Sequence, residues 1–362
     1  MLPVVSLVLA TATLPTAWAQ ATPISPDYEG NCEAPMWSPD GTQLSWEVNF
    51  HDRKVIDLYV MAFGSGSGPR KVVPVVRGAS AMTAGFDVAA AQDVVHEITF
   101  SPPSLHRFIY SASGASEDYD LYMDGGGAIA AAPGADGNAA WSPDGRHIVF
   151  TSARTGQGDL YLLDVNSLEA PPLKLSGDAV ATEIYAAWAP DSQHLAFVGH
   201  TRQGDNLYII DNVGFPAPRQ FTSWEHTQTH PTWSPDGTMI AFYSNHTDIH
   251  RFDLYMAPVN GTPTLVAQDV VMNGAGPAWT PDGRHLIYVK HDDNRYNPVY
   301  AAPVRQPSQA QPVATGTVGN ADLSVAKRSD GKVWLAVAAQ GRTGDRVRDF
   351  RKVYVMALGA LP

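Results

Sequence analysis

The sequence predicts an all-β chain, a seven-bladed β-propeller of four-stranded antiparallel blades, with six blades as the alternative count. Three observations lead there: a turn motif that recurs along the chain, a strand motif that follows it at a steady distance, and a composition rich in turn formers. The turn motif is Trp37-Ser38-Pro39-Asp40-Gly41. It returns as Trp141-Ser142-Pro143-Asp144-Gly145 and Trp233-Ser234-Pro235-Asp236-Gly237, with Trp279-Thr280-Pro281-Asp282-Gly283 and Trp188-Ala189-Pro190-Asp191-Ser192 as close variants. Phe100-Ser101-Pro102-Pro103-Ser104 and Lys327-Arg328-Ser329-Asp330-Gly331 are degenerate copies. About twenty residues after each start comes Asp57-Leu58-Tyr59, Asp120-Leu121-Tyr122, Asp159-Leu160-Tyr161, Asn206-Leu207-Tyr208 or Asp253-Leu254-Tyr255, with Pro298-Val299-Tyr300 and Lys352-Val353-Tyr354 as weaker forms. Both markers count seven copies. The 31 Gly and 28 Pro residues suit a chain that turns every dozen residues or so.

Each repeat reads as four short strands in order. An apolar strand such as Ala139-Ala140-Trp141 runs into the Ser-Pro-Asp-Gly turn, whose Ser, Pro and Gly occupy the first, second and fourth places of a type I turn. A second strand follows (His147-Ile148-Val149-Phe150), then a polar loop, a third strand (Leu160-Tyr161-Leu162-Leu163) and a weak fourth (Pro172-Leu173-Lys174-Leu175). Strands apolar on both faces are those of sheets stacked on sheets. Repeats of roughly 40 to 48 residues with four strands each are propeller blades. The interval from Trp37 to Phe100 is longer; its excess around Gly64–Gly68 and the Ala-rich stretch before Val94 reads as an insertion. The last copy ends at a third strand, Val353 to Leu358, so its outer strand is expected from Thr22 to Ser25, where Pro23 is tolerated on an edge. Residues 20–362 are thus expected to form one domain.

Residues 1–19 read as a secretory signal. An apolar stretch from Leu2 to Leu14 precedes the small-x-small pattern Ala17-Trp18-Ala19, and Pro3 and Pro15 interrupt any run long enough to span a bilayer. A periplasmic or secreted protein follows, with no stable membrane insertion after cleavage. The single cysteine, Cys32, has no internal disulfide partner and reads as a buried thiol. A formal net charge of −12 argues against nucleic acid as a partner.

The Trp-Ser-Pro-Asp-Gly turn, the apolar strand after it and the Asp-Leu-Tyr strand resemble the WD40-like repeat of the TolB family. The resemblance spans nearly all of the chain after residue 19. It implies a rigid exported propeller; TolB itself places such a propeller after a separate N-terminal domain and works in the periplasm with a lipoprotein. One repeat type serves many roles, so the resemblance speaks to the fold more than to function.

Propeller sites lie on the face opposite the Ser-Pro-Asp-Gly turns, where the loops leading into the first strands reach the channel mouth. The candidates there are Glu33, His96, Glu97, Glu183, Tyr185, His226, Gln228 and His230, with Asn31, Asn138, Asn273, Asn320 and Asp322 beside them. His226-x-Gln228-x-His230 is the one metal-like pattern, because alternate residues of a strand face the same way. A divalent metal there would resemble the channel-top site of oligogalacturonate lyases; no other cofactor is implied. The loops between second and third strands carry twelve Lys and Arg residues, among them Arg53, Lys54, Arg154, Arg251, Lys290, Arg295, Arg346 and Arg351. No Gly-x-Ser-x-Gly elbow, P-loop or zinc-protease helix is present. The leading expectation is a non-enzymatic binding or scaffold protein for an envelope protein or polymer, and the alternative is a metal-dependent polysaccharide lyase.

Overall fold

The computed structural model describes residues 20–51, 55–72, 95–113, 119–130, 132–156, 158–175, 182–202, 204–341 and 350–361. The expected signal (1–19) and most of the expected insertion (73–94) lie outside these residues. Apart from two short 3₁₀ turns, the regular elements among the described residues are strands.

Their pairings fall into seven sets of four, with Thr317–Val318 as an extra strand beside Val333–Gly341. The innermost strands are Asn31–Trp37, Val95–Phe100, Asp136–Trp141, Thr182–Trp188, His226–Trp233, Ala278–Trp279 and Leu323–Lys327. We number the sets by these strands. In each, the second and third strands follow antiparallel; a two-residue fourth lies outermost in five of them, and in set 5 the fourth is the eight-residue Thr264–Val271. In the seventh set the outer place is taken by Thr22–Pro23, which pairs with Val355 and Tyr354 of strand Lys352–Ala357. Ile24 N–H donates to Val353 O and Ala21 N–H to Thr315 O, extending that attachment by 2.9 Å bonds on either side. Sets 4, 5 and 6 run together through a parallel pairing of Gly204 with His226 and an antiparallel pairing of Val270 with Lys290. Sets 7 and 1 share one apolar cluster, in which Trp37, Leu44 and Trp46 pack with Ala326, Ala336 and Val353.

Three devices recur, each legible as the job of a repeated residue. At the turns, Ser38, Ser142 and Ser234 each donate to the Asp two residues on at 2.6 Å, while Gly41, Gly145 and Gly237 return N–H bonds to the Ser carbonyls. The three glycines have φ of 64°, 73° and 71°, a region costly for residues with a Cβ. Hydrogen bonds from Ser234 and Thr238 hold the Asp236 carboxyl below its usual range. In the second device, the Tyr of each Asp-Leu-Tyr strand lies across from an aromatic of the second strand. The pairs Tyr110–Tyr122, Phe197–Tyr208, Phe242–Tyr255 and Tyr288–Tyr300 stack at 5.6–5.9 Å between centroids. In the third, the buried acid or amide that opens this strand clamps the outer strand or the segment beside it. Asp57 binds Lys71 at 2.7 Å, Asp159 binds Lys174 at 3.0 Å, Asn206 receives Thr222 and Asp253 receives Asp269 N–H.

The joints between sets are where the tryptophans act. Trp188 Nε1 donates to Ala140 O at 3.1 Å, Trp233 Nε1 to Ala187 O at 3.0 Å and Trp279 Nε1 to Thr232 O at 3.3 Å. In each case the acceptor is the residue before the aromatic of the preceding set. Trp37 and Trp141 follow the two degenerate copies, and their indole N–H groups are buried without a hydrogen-bond partner. A buried bonded donor contributes about 1 kcal/mol net, and an orphaned one costs a comparable amount. Trp→Phe at 188, 233 or 279 is therefore expected to cost about 1 kcal/mol more than Trp→Phe at 37 or 141, measured by urea unfolding; equal losses would contradict the assignment.

Candidate functional site

The inner strands do not run as regular strands. In sets 1 to 5 the register with the second strand slips between Glu33 and Met36, His96 and Thr99, Gly137 and Ala140, Ile184 and Ala187, and Thr229 and Thr232. The residue three before the aromatic takes a left-handed backbone at every slip: Ala34, Glu97, Asn138, Tyr185 and His230 have φ between 46° and 56°. Gly276 holds the equivalent place in set 6 with φ 84°. Such a bulge re-aims its side chain and frees an amide from the ladder, at a cost of roughly 1–3 kcal/mol for a residue with a Cβ.

On one side of the molecule, carboxylates from the neighbouring set take up those amides. Ala34 N–H donates to Asp322 at 3.2 Å, Glu97 N–H to Glu47 at 2.9 Å and Asn138 N–H to Glu97 at 2.7 Å. Asn138 Nδ2 adds a second bond to Glu97 at 2.9 Å. Gly137 makes this approach feasible, since a Cβ there would lie 3.1 Å from Glu97 Oε2. Glu33 is held by Arg351 at 2.8 Å and by Asn49 at 3.3 Å. Burial pushes the Glu47 carboxyl up to about 7, and the charges of Glu97, Glu33 and Asp322 add to the rise, so the four acids form one electrostatically linked group. The joints that carry these carboxylate bonds, 7 to 1, 1 to 2 and 2 to 3, have no indole bond among the described residues.

The expected site residues lie on the inner strands rather than on loops, and the bulges scatter them. Glu33 and Glu97 belong to the acidic group. Tyr185 and His230 stack with ring centroids 4.0 Å apart, and burial lowers the His230 pKa to about 4, which leaves the imidazole neutral. Glu183 is 1% exposed and turned into the packing, where it accepts Leu160 N–H at 3.1 Å. His96 lies on strand Val95–Phe100, but its side chain is outside the described residues. The shared facing expected of His226, Gln228 and His230 is not found. His226 is exposed with φ 68°, Gln228 is fully buried against Thr222 and Glu225, and His230 bonds Thr229 at 2.9 Å. Two left-handed residues in five remove the strand alternation on which that pattern relied. Among the described residues no group of three or more His, Cys, Asp or Glu side chains is placed to hold a metal ion. Sequence reading passed over Glu47 as a linker of the acidic group. Its only signal was a charge inside the apolar run Leu44-Ser45-Trp46-Glu47-Val48.

The loops of this face present apolar side chains over three consecutive sets. Ile249, Met272, Tyr296 and Phe350 are 54%, 39%, 57% and 43% exposed. Of the loop cations, Arg154 is paired with the buried Asp136, Arg251 with Asp269 and Arg351 with Glu33. Lys290 and Arg295 are exposed between the apolar residues, while Arg53, Lys54, Arg342, Arg346 and Arg348 lie outside the described residues.

Stacked antiparallel four-strand sets, stitched joint to joint around a set of inner strands, define a β-propeller. Residues 181–321 match the family model described as the TolB beta propeller domain. The chain is TolB-like over those residues. It is similar in fold to the crystal structure of TolB from Acinetobacter baumannii, with a TM-score of 0.50, 15% identity and 81% of this chain covered. The match takes in 63% of that TolB's length. A putative TolB from Agrobacterium tumefaciens aligns at a TM-score of 0.47 with 18% identity over 91% of both chains. No curated protein matches the sequence.

The Glu47 pKa implies a pH dependence of definite sign. A carboxyl raised from 4.5 to about 7 in the folded state stabilises when protonated, and that stability is lost as pH rises towards 7. Glu47→Gln keeps an oxygen acceptor for Glu97 N–H without the charge. The variant should gain on wild type by on the order of 1–2 kcal/mol between pH 4.5 and pH 8, allowing for solvent that reaches the group. A difference that stays constant across that range in chemical denaturation would contradict it.

Proposed function

We propose that the protein is an exported, periplasmic scaffold that docks an envelope protein or polymer across the channel face of a seven-bladed ring. On this reading the seven four-strand sets are seven blades of one domain, residues 20–362, closed by Thr22–Pro23, and residues 1–19 are removed on export. The observation that carries the docking reading is the apolar arc of Ile249, Met272, Tyr296 and Phe350, with Lys290 and Arg295 interleaved, on loops held by a rigid scaffold. Exposed aromatic and aliphatic residues among cations are the composition of a protein-docking patch rather than of a solvated loop. The lyase alternative requires His226, Gln228 and His230 around one ion, and their placement gives it no support.

The test is affinity capture from envelope extract with wild type, the double variant Ile249→Ser/Tyr296→Ser, and Arg295→Glu. The double variant is expected to lose the captured partner at least tenfold, about 1.4 kcal/mol or more. Arg295→Glu is expected to slow capture chiefly at low salt. An unchanged set of partners with both variants would refute this face as the docking surface.

A further inference from the structure

The face carrying the Ser-Pro-Asp-Gly turns holds two notches that are the same notch one repeat apart. The first, of about 390 Å³ between sets 4 and 5, is lined by Asp191, His194, Trp233, Pro258, Val259 and Asn260. The second, of about 580 Å³ between sets 5 and 6, places Asp236, Met239, Trp279, Pro303, Val304 and Arg305 at the equivalent positions. Thr238 lines both, so the two form one trough.

At three other joints the space beside the turn is filled. At joint 3 to 4, Ser192 stands where other copies have Gly, and its hydroxyl accepts Asp144 N–H at 3.0 Å across the gap. At joint 2 to 3 a Cβ on Gly145 would lie 2.9 Å from Leu105, and at joint 7 to 1 a Cβ on Gly41 would lie 2.6 Å from Arg328. Arg328 also covers the rings of Phe63 and Trp334. At the open joints, Gly237 and Gly283 leave the neighbouring prolines at 3.5 and 3.6 Å from a Cβ, with no side chain crossing.

We infer that this trough binds an acidic oligosaccharide, with successive units in successive notches. Both volumes fall in the range of about 300–1,000 Å³ typical of ligand sites. The floor is apolar: the carbon edge of an indole whose Nε1 is already committed, with a Pro and a Val beside it. The rim is polar and suited to hydroxyl groups, with the Asp191 carboxylate, the Asn260 amide and the Arg284 and Arg305 guanidinium groups. An extended peptide fits less well, because the backbone at the rim is occupied: Val259 N–H bonds Thr238 O and Val304 N–H bonds Arg284 O, leaving no free ladder. The second notch sets Arg284 and Arg305 beside Asp236 and Asp282, whose carboxylates are committed to their own turns through Ser234, Thr238 N–H, Thr280 and Arg284 N–H. Arg305 makes no ion pair among the described residues, and Arg284 lies 3.9 Å from Asp282 with its side chain 80% exposed. A guanidinium is the side chain best matched to a carboxylate.

The test is titration calorimetry with a glucuronate-containing tetrasaccharide, its carboxyl-reduced neutral counterpart and an acidic octapeptide. The acidic sugar is expected to bind saturably and more tightly than either comparator. Thr238→Arg fills both notches and is compatible with the turn, since Arg146 and Arg284 occupy the same place in other copies. It should weaken binding at least tenfold, about 1.4 kcal/mol, with an unchanged unfolding midpoint. Arg305→Glu, at an exposed position, should weaken the acidic sugar alone and keeps the test decisive if Thr238→Arg folds poorly. The inference is overturned if no ligand saturates, if the octapeptide or neutral sugar binds as tightly as the acidic one, or if folded variants bind like wild type.

Discussion

Neighbouring blades of a propeller share little backbone ladder, so whatever closes each joint decides whether the sheets form a ring. Here the joint is made in two ways. From set 3 to set 6 an indole N–H reaches back to the carbonyl that precedes the aromatic of the previous copy. From set 7 round to set 3 a carboxylate takes the amide that an inner-strand bulge has freed. The remaining joint, 6 to 7, is closed by Asn273, whose side chain bonds both N–H and O of Leu323. The indole bond is neutral and the carboxylate bond charged, so the two respond differently to pH; joint 3 to 4 adds the Glu183 carboxylate to its indole bond, and joint 6 to 7 adds Asp322, which accepts Gly274 N–H. The left-handed bulges belong to the same account, because a strained residue persists only where its surroundings hold it.

The repeated residues were legible because turn chemistry and strand period leave fixed traces. The Ser-Pro-Asp-Gly turn declares its own geometry, and the tyrosine of each third strand sits opposite an aromatic wherever the second strand offers one. The acid opening that strand was visible as a marker but not as a clamp on the outer strand: Lys71 lies in a segment too short to register as a strand, and the strand around Lys174 was read from its apolar residues alone. The bulges were illegible. Glycine marks only the one at Gly276; Ala34, Glu97, Tyr185 and His230 carry no local signature of a left-handed backbone. That is why a pattern such as His226-x-Gln228-x-His230 promised convergence that the backbone does not deliver. Candidate residues could be assigned to the right end of the right strands, but not to the right direction.

The two faces then divide the chemistry. The inner strands of sets 7, 1 and 2 gather Glu33, Glu47, Glu97 and Asp322, while loops of sets 5, 6 and 7 expose Ile249, Tyr296 and Phe350. On the opposite face, built from turns that serve the fold, joints 4 to 5 and 5 to 6 are open, with a glycine and a proline lining each. Degeneration of a repeat has opposite effects on the two: it orphans an indole at Trp37 and Trp141, and it brings in Leu105 or Arg328 to seal the notch beside it.

The measurement that tests this division most directly is hydrogen exchange of the indole N–H groups, followed in a protein with ¹⁵N-labelled tryptophan. The indoles of Trp188, Trp233 and Trp279 should be the slowest to exchange and should stay so from pH 5 to pH 8 after correction for intrinsic rates. Those of Trp37 and Trp141, buried without acceptors beside the carboxylate joints, should exchange faster and change with pH. Equal protection of all five, insensitive to pH, would contradict a ring held by two kinds of joint.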